Sequence, residues 1–163
     1  MSLLLQSPIK YEPHQTHRFM LKFPTDIGIQ TWQLKSVGVP SVDIKSSEIN
    51  FINTSVDVAS SYKWQQMDIT LYDYIAPSTT QGLIEWLRLH AESVTGRMGY
   101  AVGYKKNLIL EKLDPTGVRV QEWDLINCML VGTVDFGSSF DYSSPGVQEI
   151  KFTIQPERCI LSF

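Results

Sequence analysis

The clearest alternation of apolar and polar positions lies in residues 64–73, W-Q-Q-M-D-I-T-L-Y-D, where Met67, Ile69 and Leu71 alternate with Asp68, Thr70 and Tyr72. A period of two belongs to a strand with one buried face, so the other face is polar or meets a partner. Pro77 closes this strand, and Ser78 with Gln81 three residues later fits a capping box that opens a helix near Thr79. Leu83, Ile84, Leu87, Ala91 and Val94 then fall on one helical face, with Trp86 and His90 on its flank, and Gly96 supplies the left-handed stop that helix ends favour. The pattern predicts one principal helix over residues 79–95.

On either side the signals are those of β structure. R-F-M-L-K-F and I-Q-T-W-Q-L-K-S-V-G-V have strand character and are separated by Pro24, Asp26 and Gly28, which predicts a hairpin. In residues 47–58, Ile49 and Phe51 oppose Glu48 and Asn50 until the register slips at Ile52 and Asn53, so a bulge or bend is expected there. The polar residues 59–63 read as a loop. After the helix, G-Y-A-V-G-Y and N-L-I-L-E-K-L lead into Asp114-Pro115-Thr116-Gly117, which fits a type I turn and predicts a hairpin returning through V-R-V-Q-E-W-D-L. Further strands are predicted at 127–136 and 148–154, with a Gly- and Ser-rich loop between them. The sum is mainly β, a barrel or sandwich of two packed antiparallel sheets with one flanking helix. Residues 1–17 show no period and read as an arm; residues 18–163 read as one domain.

Composition narrows the class. A chain of 163 residues has the length of one domain, and its 43% hydrophobic content supports a core without staples. Charged residues are 19%, below the average of about 25%, which fits a surface partly hidden by partners. A net charge of -3 argues against binding nucleic acid by neutralising phosphates. Cys128 and Cys159 lack metal-ligand spacing and sit among apolar residues, as reduced core thiols do. No apolar run approaches the roughly 20 residues of a membrane helix, so no membrane insertion is expected.

The search for chemistry returns no constellation. His14 and His17 would share a metal only in a turn or helix, and the arm has no helical pattern; they read as mobile or interface histidines. His90 reads as a solvated or hydrogen-bonded surface group. There is no nucleophile elbow, zincin motif or phosphate loop, and Gly96, Gly99 and Gly103 do not make a dinucleotide fingerprint. Asp68 with Asp73, or Glu122 with Asp124, are carboxylate pairs of the kind any β protein supplies. Lys105 and Lys106 beside Tyr100 and Tyr104 read as strand tyrosines next to a basic turn rather than a nucleic-acid platform. Trp32, Trp64, Trp86 and Trp123 read as core or interface anchors. No enzyme, metal or cofactor is expected.

The order of these elements carries a resemblance. The strand W-Q-Q-M-D-I-T-L-Y-D, the helix T-T-Q-G-L-I-E-W-L-R, the exit T-G-R-M-G-Y-A-V-G-Y-K-K, the hairpin L-D-P-T-G-V-R-V-Q-E-W and the later F-G-S-S-F-D-Y-S-S resemble the tail tube proteins of contractile-tailed bacteriophages, over about residues 18–155. Related tubes occur in contractile injection systems and type VI secretion. The resemblance implies a structural virion protein of the tail, assembled in the host cytoplasm, whose hexameric rings stack into the inner tube that conducts DNA into the host.

Its implied partners are other copies of itself, the sheath, the baseplate and the tail terminator, with DNA passing through the lumen unbound. In that family a long hairpin reaches the adjacent ring. By position Asn53, Ser55, Asp57, Ser60, Ser61, Tyr62 and Lys63 match it, although the same residues also suit a free surface loop. Glu48, Asn50, Asp68 and Thr70 are the candidates to line the lumen, where acidic or neutral side chains would not hold phosphates. Two alternatives stay open: a tube-like ring protein of the baseplate that initiates the tube, and a monomeric β-sandwich module that binds carbohydrate or protein through exposed tryptophans.

Overall fold

A computed structural model describes residues 13–162; most of the predicted N-terminal arm lies outside the described residues, while His14 and His17 are exposed. The strands are β1 (Phe19–Lys22), β2 (Leu34–Val37), β3 (Val42–Phe51), β4 (Thr54–Trp64), β5 (Met67–Tyr72), β6 (Lys106–Leu113), β7 (Arg119–Asp135), β8 (Glu149–Gln155) and β9 (Arg158–Leu161), with helices α1 (Thr79–His90) and α2 (Ala101–Tyr104). Seven strands form one continuous antiparallel sheet in the order β1-β6-β7-β8-β5-β2, with β9 also on β7, while β3 and β4 pair only with each other. The chain is mainly β with one principal helix, as the pattern implied.

The 17-residue β7 holds the sheet together. Its first half pairs with β6 and β9, through partners such as Leu110 with Trp123 and Leu125 with Cys159, and its second half pairs with β8 from Met129 onward. Sequence reading made two strands of it. They are one strand that bends where Asn127 adopts a left-handed φ of 54°, a conformation asparagine tolerates better than most residues. Beside it the chain turns from β8 through Pro156 and Glu157 into β9, so both strands change direction at the same corner. Glu157 holds that corner: it accepts from Asn127 Nδ2 at 3.0 Å and from Lys105 Nζ at 3.1 Å, and its N–H reaches the Ile126 carbonyl.

The bend folds the sheet over a single apolar core. Leu21, Leu108, Leu110 and Leu125 from one half meet Met67, Ile69, Leu71, Ile150, Phe152 and Ile154 from the other. On β5 the predicted alternation is exact in outcome: Met67, Ile69 and Leu71 are buried, and Asp68, Thr70 and Tyr72 face outward. Cys128 and Cys159 are buried free thiols, pushed up to about 12 and about 11, in both cases first by burial.

Helix α1 begins where its cap predicts, with Ser78 Oγ accepting from Gln81 N; the Gln81 side chain turns instead to Glu85, so only half of the box forms. The helix is shorter than the periodicity implied. It stops at His90, and Gly96, with φ +69°, sits in a tight turn that brings Ala91 opposite Met98 rather than serving as the helix stop. Val94 is therefore exposed, and Trp86, expected on the flank, is the centre of the buried face, edge-on to Phe152. Just below, Gly82 lets the helix approach residues 27–29 so closely that a Cβ would lie 2.7 Å from the Ile27 carbonyl oxygen.

Three further expectations change. The hairpin predicted from residues 18–39 does not form: β1 joins β6 and β2 joins β5, at opposite ends of the strand order. Between them Ile27 and Ile29 enter the core and Thr31–Gln33 make a 3-10 turn, fixed by Gln33 Nε2 donating to the Pro77 carbonyl at 2.9 Å. Tyr100 caps the short α2 and Tyr104 is its last residue, so neither lies in a strand. The turn at Asp114 does form, with Gly117 N–H bonded to the Asp114 carbonyl and Asp114 Oδ1 accepting from Thr116 and Val118.

Two substitutions test these constraints by thermal melting. Asn127→Val should cost about 2 kcal/mol, because a β-branched residue resists the left-handed conformation, and Asn127→Gly should cost clearly less. Gly82→Ala gains about 1 kcal/mol of helix propensity, yet it should still destabilise, because overpacking against a backbone oxygen costs about 1–3 kcal/mol.

Candidate assembly interface

The part of the molecule that its own core does not explain is the β3–β4 hairpin. Residues 41–63 are all exposed, and only Trp64 at its base is partly covered. The pattern predicts a bulge or bend at Ile52 and Asn53 and a loop at 59–63. Instead, Ile52 and Asn53 are the turn that joins β3 to β4, and residues 59–63 are paired strand. The reason is chemical: serines and charges look like a loop, but a ribbon exposed on both faces tolerates them throughout.

A register shift does exist, farther down. Lys45 pairs with Ser61 and Ser46 with Ala59, which leaves Ser60 as an extra residue in β4, its Oγ donating to the Lys45 carbonyl at 3.1 Å. Because residues directly opposite in an antiparallel ladder share a face, the pairings assign every side chain. One face carries Val42, Ile44, Tyr62 and Trp64 near the base and Ser46, Glu48, Asn50, Ser55 and Asp57 toward the tip. The other carries Asp43, Lys45, Ser61 and Lys63 near the base and Ile49, Phe51, Val56 and Val58 toward the tip. The apolar surface thus changes sides halfway along the ribbon. Ile44 is 65% exposed, Phe51 60% and Tyr62 69%, so neither apolar patch is covered by this chain.

The predicted contact residues fall on different parts of this ribbon. Asn53 is in the turn, Ser55 and Asp57 lie on the polar tip face, Ser60 is the bulge, Ser61 and Lys63 lie on the charged base face, and Tyr62 belongs to the apolar base patch. Sequence reasoning missed Val42, Ile44, Phe51, Val56 and Val58, although the parity of their spacing was visible. Of the lumen candidates, Glu48 and Asn50 share the polar tip face with Asp57 and Ser55, whereas Asp68 and Thr70 sit on the outward face of β5, where Asp68 accepts from Thr153 Oγ1 at 2.7 Å. The four therefore belong to two separate elements.

The base of the hairpin is anchored to the bend in β7. Trp64 lies edge-on to Trp123 with ring centroids 6.3 Å apart, and its carbonyl accepts from Gln155 Nε2 at 2.9 Å. A cavity of about 530 Å³ opens there among Tyr62, Lys63, Trp64, Lys105, Glu157 and Arg158. At the other end of the molecule Trp32 is exposed and packs edge-on against Tyr74 at 4.7 Å.

His90 is a structural latch. Its Nε2 lies 3.2 Å from Leu130 N, which must donate, and its Nδ1 lies 3.2 Å from the Trp86 carbonyl, which must accept, so the ring is the neutral Nδ1–H tautomer. It stacks on Tyr104, whose carbonyl accepts from Trp86 Nε1. The Leu130 N–H lies in the part of β7 beyond its pairing with β6, and His90 satisfies it. Among the described residues no group of three or more His, Cys, Asp or Glu could hold a metal, and no helix is long and apolar enough to cross a membrane.

The sequence matches no protein-family model and no curated protein. Solved structures do match in fold. A chain from the sheath/tube terminator of PVC, an extracellular contractile injection system, in its extended state is 13% identical with a TM-score of 0.73, over 95% of this chain and 99% of that one. A chain from the tube-terminating cap of the anti-feeding prophage is 13% identical with a TM-score of 0.72, over 99% of each chain. Hcp1 from Flavobacterium johnsoniae is 13% identical with a TM-score of 0.51, over 89% of this chain and 94% of that one. At these identities the likeness is one of fold, and it spans nearly the whole chain.

Burial holds the His90 pKa below 6.5. Protonation would also set an N–H against the Leu130 N–H. With the folded pKa depressed, the unfolded chain takes up the proton first, so His90's contribution to stability is complete above pH 6.5 and declines as pH falls through that value toward the folded pKa. Melting temperature should drop between pH 7 and 5.5 in the wild type, and the drop should be shallower in His90→Gln.

Proposed function

We propose that this chain is a ring-forming structural subunit of the inner tube of a contractile injection or phage-tail assembly. The observation that carries the reading is a near-complete match in fold to chains of such assemblies, in a molecule whose β3–β4 hairpin stands exposed beyond its Trp64 base among the described residues. A two-stranded ribbon is at best marginally stable alone in water. One that exposes Ile44, Phe51, Val56 and Tyr62 is suited to being buried by neighbours.

On this reading rings of identical copies close by a heterologous contact and stack along an axis. The function is assembly and conduction rather than a catalytic step. The sheath, baseplate and terminator are its partners in the complete particle, which is a phage tail or a related injection device. Its cargo, DNA or protein, passes a lumen to which Glu48, Asn50, Asp68 and Thr70 contribute side chains that do not attract phosphate. A second reading is favoured by the matches to chains from a terminator, a cap and a baseplate: a single ring that ends or starts the tube. A repeated subunit polymerises, and an end ring does not.

Negative-stain microscopy of the purified protein, alone and with baseplate seeds, checks both readings. Stacked rings or tubes are expected for the tube subunit, and single rings for an end component. A protein that remains monomeric at high concentration under both conditions would return the chain to the class of monomeric binding modules.

A further inference from the structure

The exchange of faces along the hairpin restricts how copies can meet. The apolar tip patch, Ile49, Phe51, Val56 and Val58, and the apolar base patch, Val42, Ile44, Tyr62 and Trp64, lie on opposite faces of one ribbon and at different heights along it. One flat partner surface cannot cover both. We propose that the two patches are complements of each other in different copies: the tip patch of one chain packs on the base patch of the next. This deepens the assembly reading and rests on it.

Four observations carry the inference. The base patch borders a shallow, open depression of about 500 Å³ lined by Val42, Ile44, Ala59, Tyr62 and Trp64 together with Ser60 and Ser61. The ribbon is long enough to reach one: ten residues of β3 extend roughly 30 Å, against a radius of gyration of about 15 Å for a domain of this length. The tip cannot use its other face for an apolar contact, because Glu48 and Asp57 are directly opposed carboxylates, and a like-charged cross-strand pair belongs in water. The charged base face, with Asp43, Lys45 and Lys63, is equally unsuited to an apolar partner. Each copy therefore presents one apolar donor patch and one apolar receptor patch.

Because donor and receptor lie on opposite faces, the contact is head-to-tail. Each copy offers its tip in one direction and its base patch in the other, so the arrangement propagates or closes into a ring and does not stop at a two-fold dimer. The acidic tip face, with Glu48, Asn50, Ser55 and Asp57, stays open to solvent on the side away from the contact. Ser60 is what makes the scheme possible. If Ser60 took its place in the regular alternation instead of bulging out, the apolar positions of β4 would all share one face, and they could not match the two apolar pairs of β3 at both ends of the ribbon.

Cysteine trapping in the assembled, full-length protein tests the contact. Copies carrying Phe51→Cys are mixed with copies carrying Ile44→Cys, assembled, and treated with an oxidant or a short bifunctional maleimide. The native Cys128 and Cys159 do not compete, being buried. The mixture should yield a covalent pair, each variant alone should yield none, and a chain with both substitutions should yield a ladder. A mixture of Glu48→Cys with Ile44→Cys should give no pair. Rings seen by microscopy that give no Phe51–Ile44 product, or that link tip to tip in Phe51→Cys alone, would overturn this interface and leave the assembly reading standing. A protein that never assembles overturns both. All three positions are exposed, so normal melting of each variant keeps misfolding from imitating either negative result.

Discussion

Everything in this fold depends on one strand serving both halves of the sheet. β7 pairs with β9 up to Ile126 and with β6 up to Cys128, then with β8 from Met129 onward, and the chain beside it turns at Pro156 and Glu157 to follow. If β7 ran straight, Leu21, Leu108 and Leu125 would face away from Ile69, Ile150 and Phe152, and no common interior would exist. At Asn127 the bend is held by a carboxylate that binds both that residue and Lys105. The same corner seats Trp64 against Trp123, so the geometry that closes the core also aims the projecting hairpin. Packing and reach have one origin.

The parts of this design legible in the sequence were those where one local rule dominates. Met67, Ile69 and Leu71 alternate because β5 has one buried face, and Ser78 caps α1 because a helix start leaves N–H groups to satisfy. The Asp114 turn follows from its own four residues. Where tertiary contacts outvote local pattern, the reading failed. Residues 29–33 look like a strand, but the chain turns there because Ile27 and Ile29 are claimed by the core and Gln33 by Pro77. Val94 keeps the helical period, yet the helix stops at His90 because the backbone turns extended at Ala91 and pairs there with Met98. Asn127 carries no sign in its neighbours that a strand continues through it.

The hairpin was misread for a different reason. Sequence reasoning looks for a face that is polar throughout and a face that is apolar throughout, and β3 and β4 have neither. β3 changes parity by itself, with Val42 and Ile44 at even positions and Ile49 and Phe51 at odd ones, while β4 keeps Val56, Val58, Tyr62 and Trp64 at even positions. Two strands with unlike periods pair apolar to apolar at both ends only if one of them contains an extra residue. Ser60 is that residue, so the parity mismatch, which read as irregularity, is a matched set once the strands are laid side by side. The candidate contact residues all lie on this one hairpin, on a mixture of its faces.

The energetics favour a closed ring over a pair. Burying a large apolar side chain completely stabilises by about 1.5–3 kcal/mol. The tip and base patches together contribute eight side chains, seven of them exposed over 41–69% of their surface and Trp64 less, so one head-to-tail contact supplies on the order of 5–10 kcal/mol. Bringing two copies together costs an estimated 4–15 kcal/mol in lost freedom and side-chain ordering, so an open dimer barely breaks even. Closing a ring adds one more contact without immobilising another copy, and that last contact is nearly all gain. If copies meet as proposed, apolar patches of this size on opposite faces would make the closed ring, and not the open pair, the first stable state. The exposed ribbon that a monomer cannot justify is, in the ring, what makes association all-or-none.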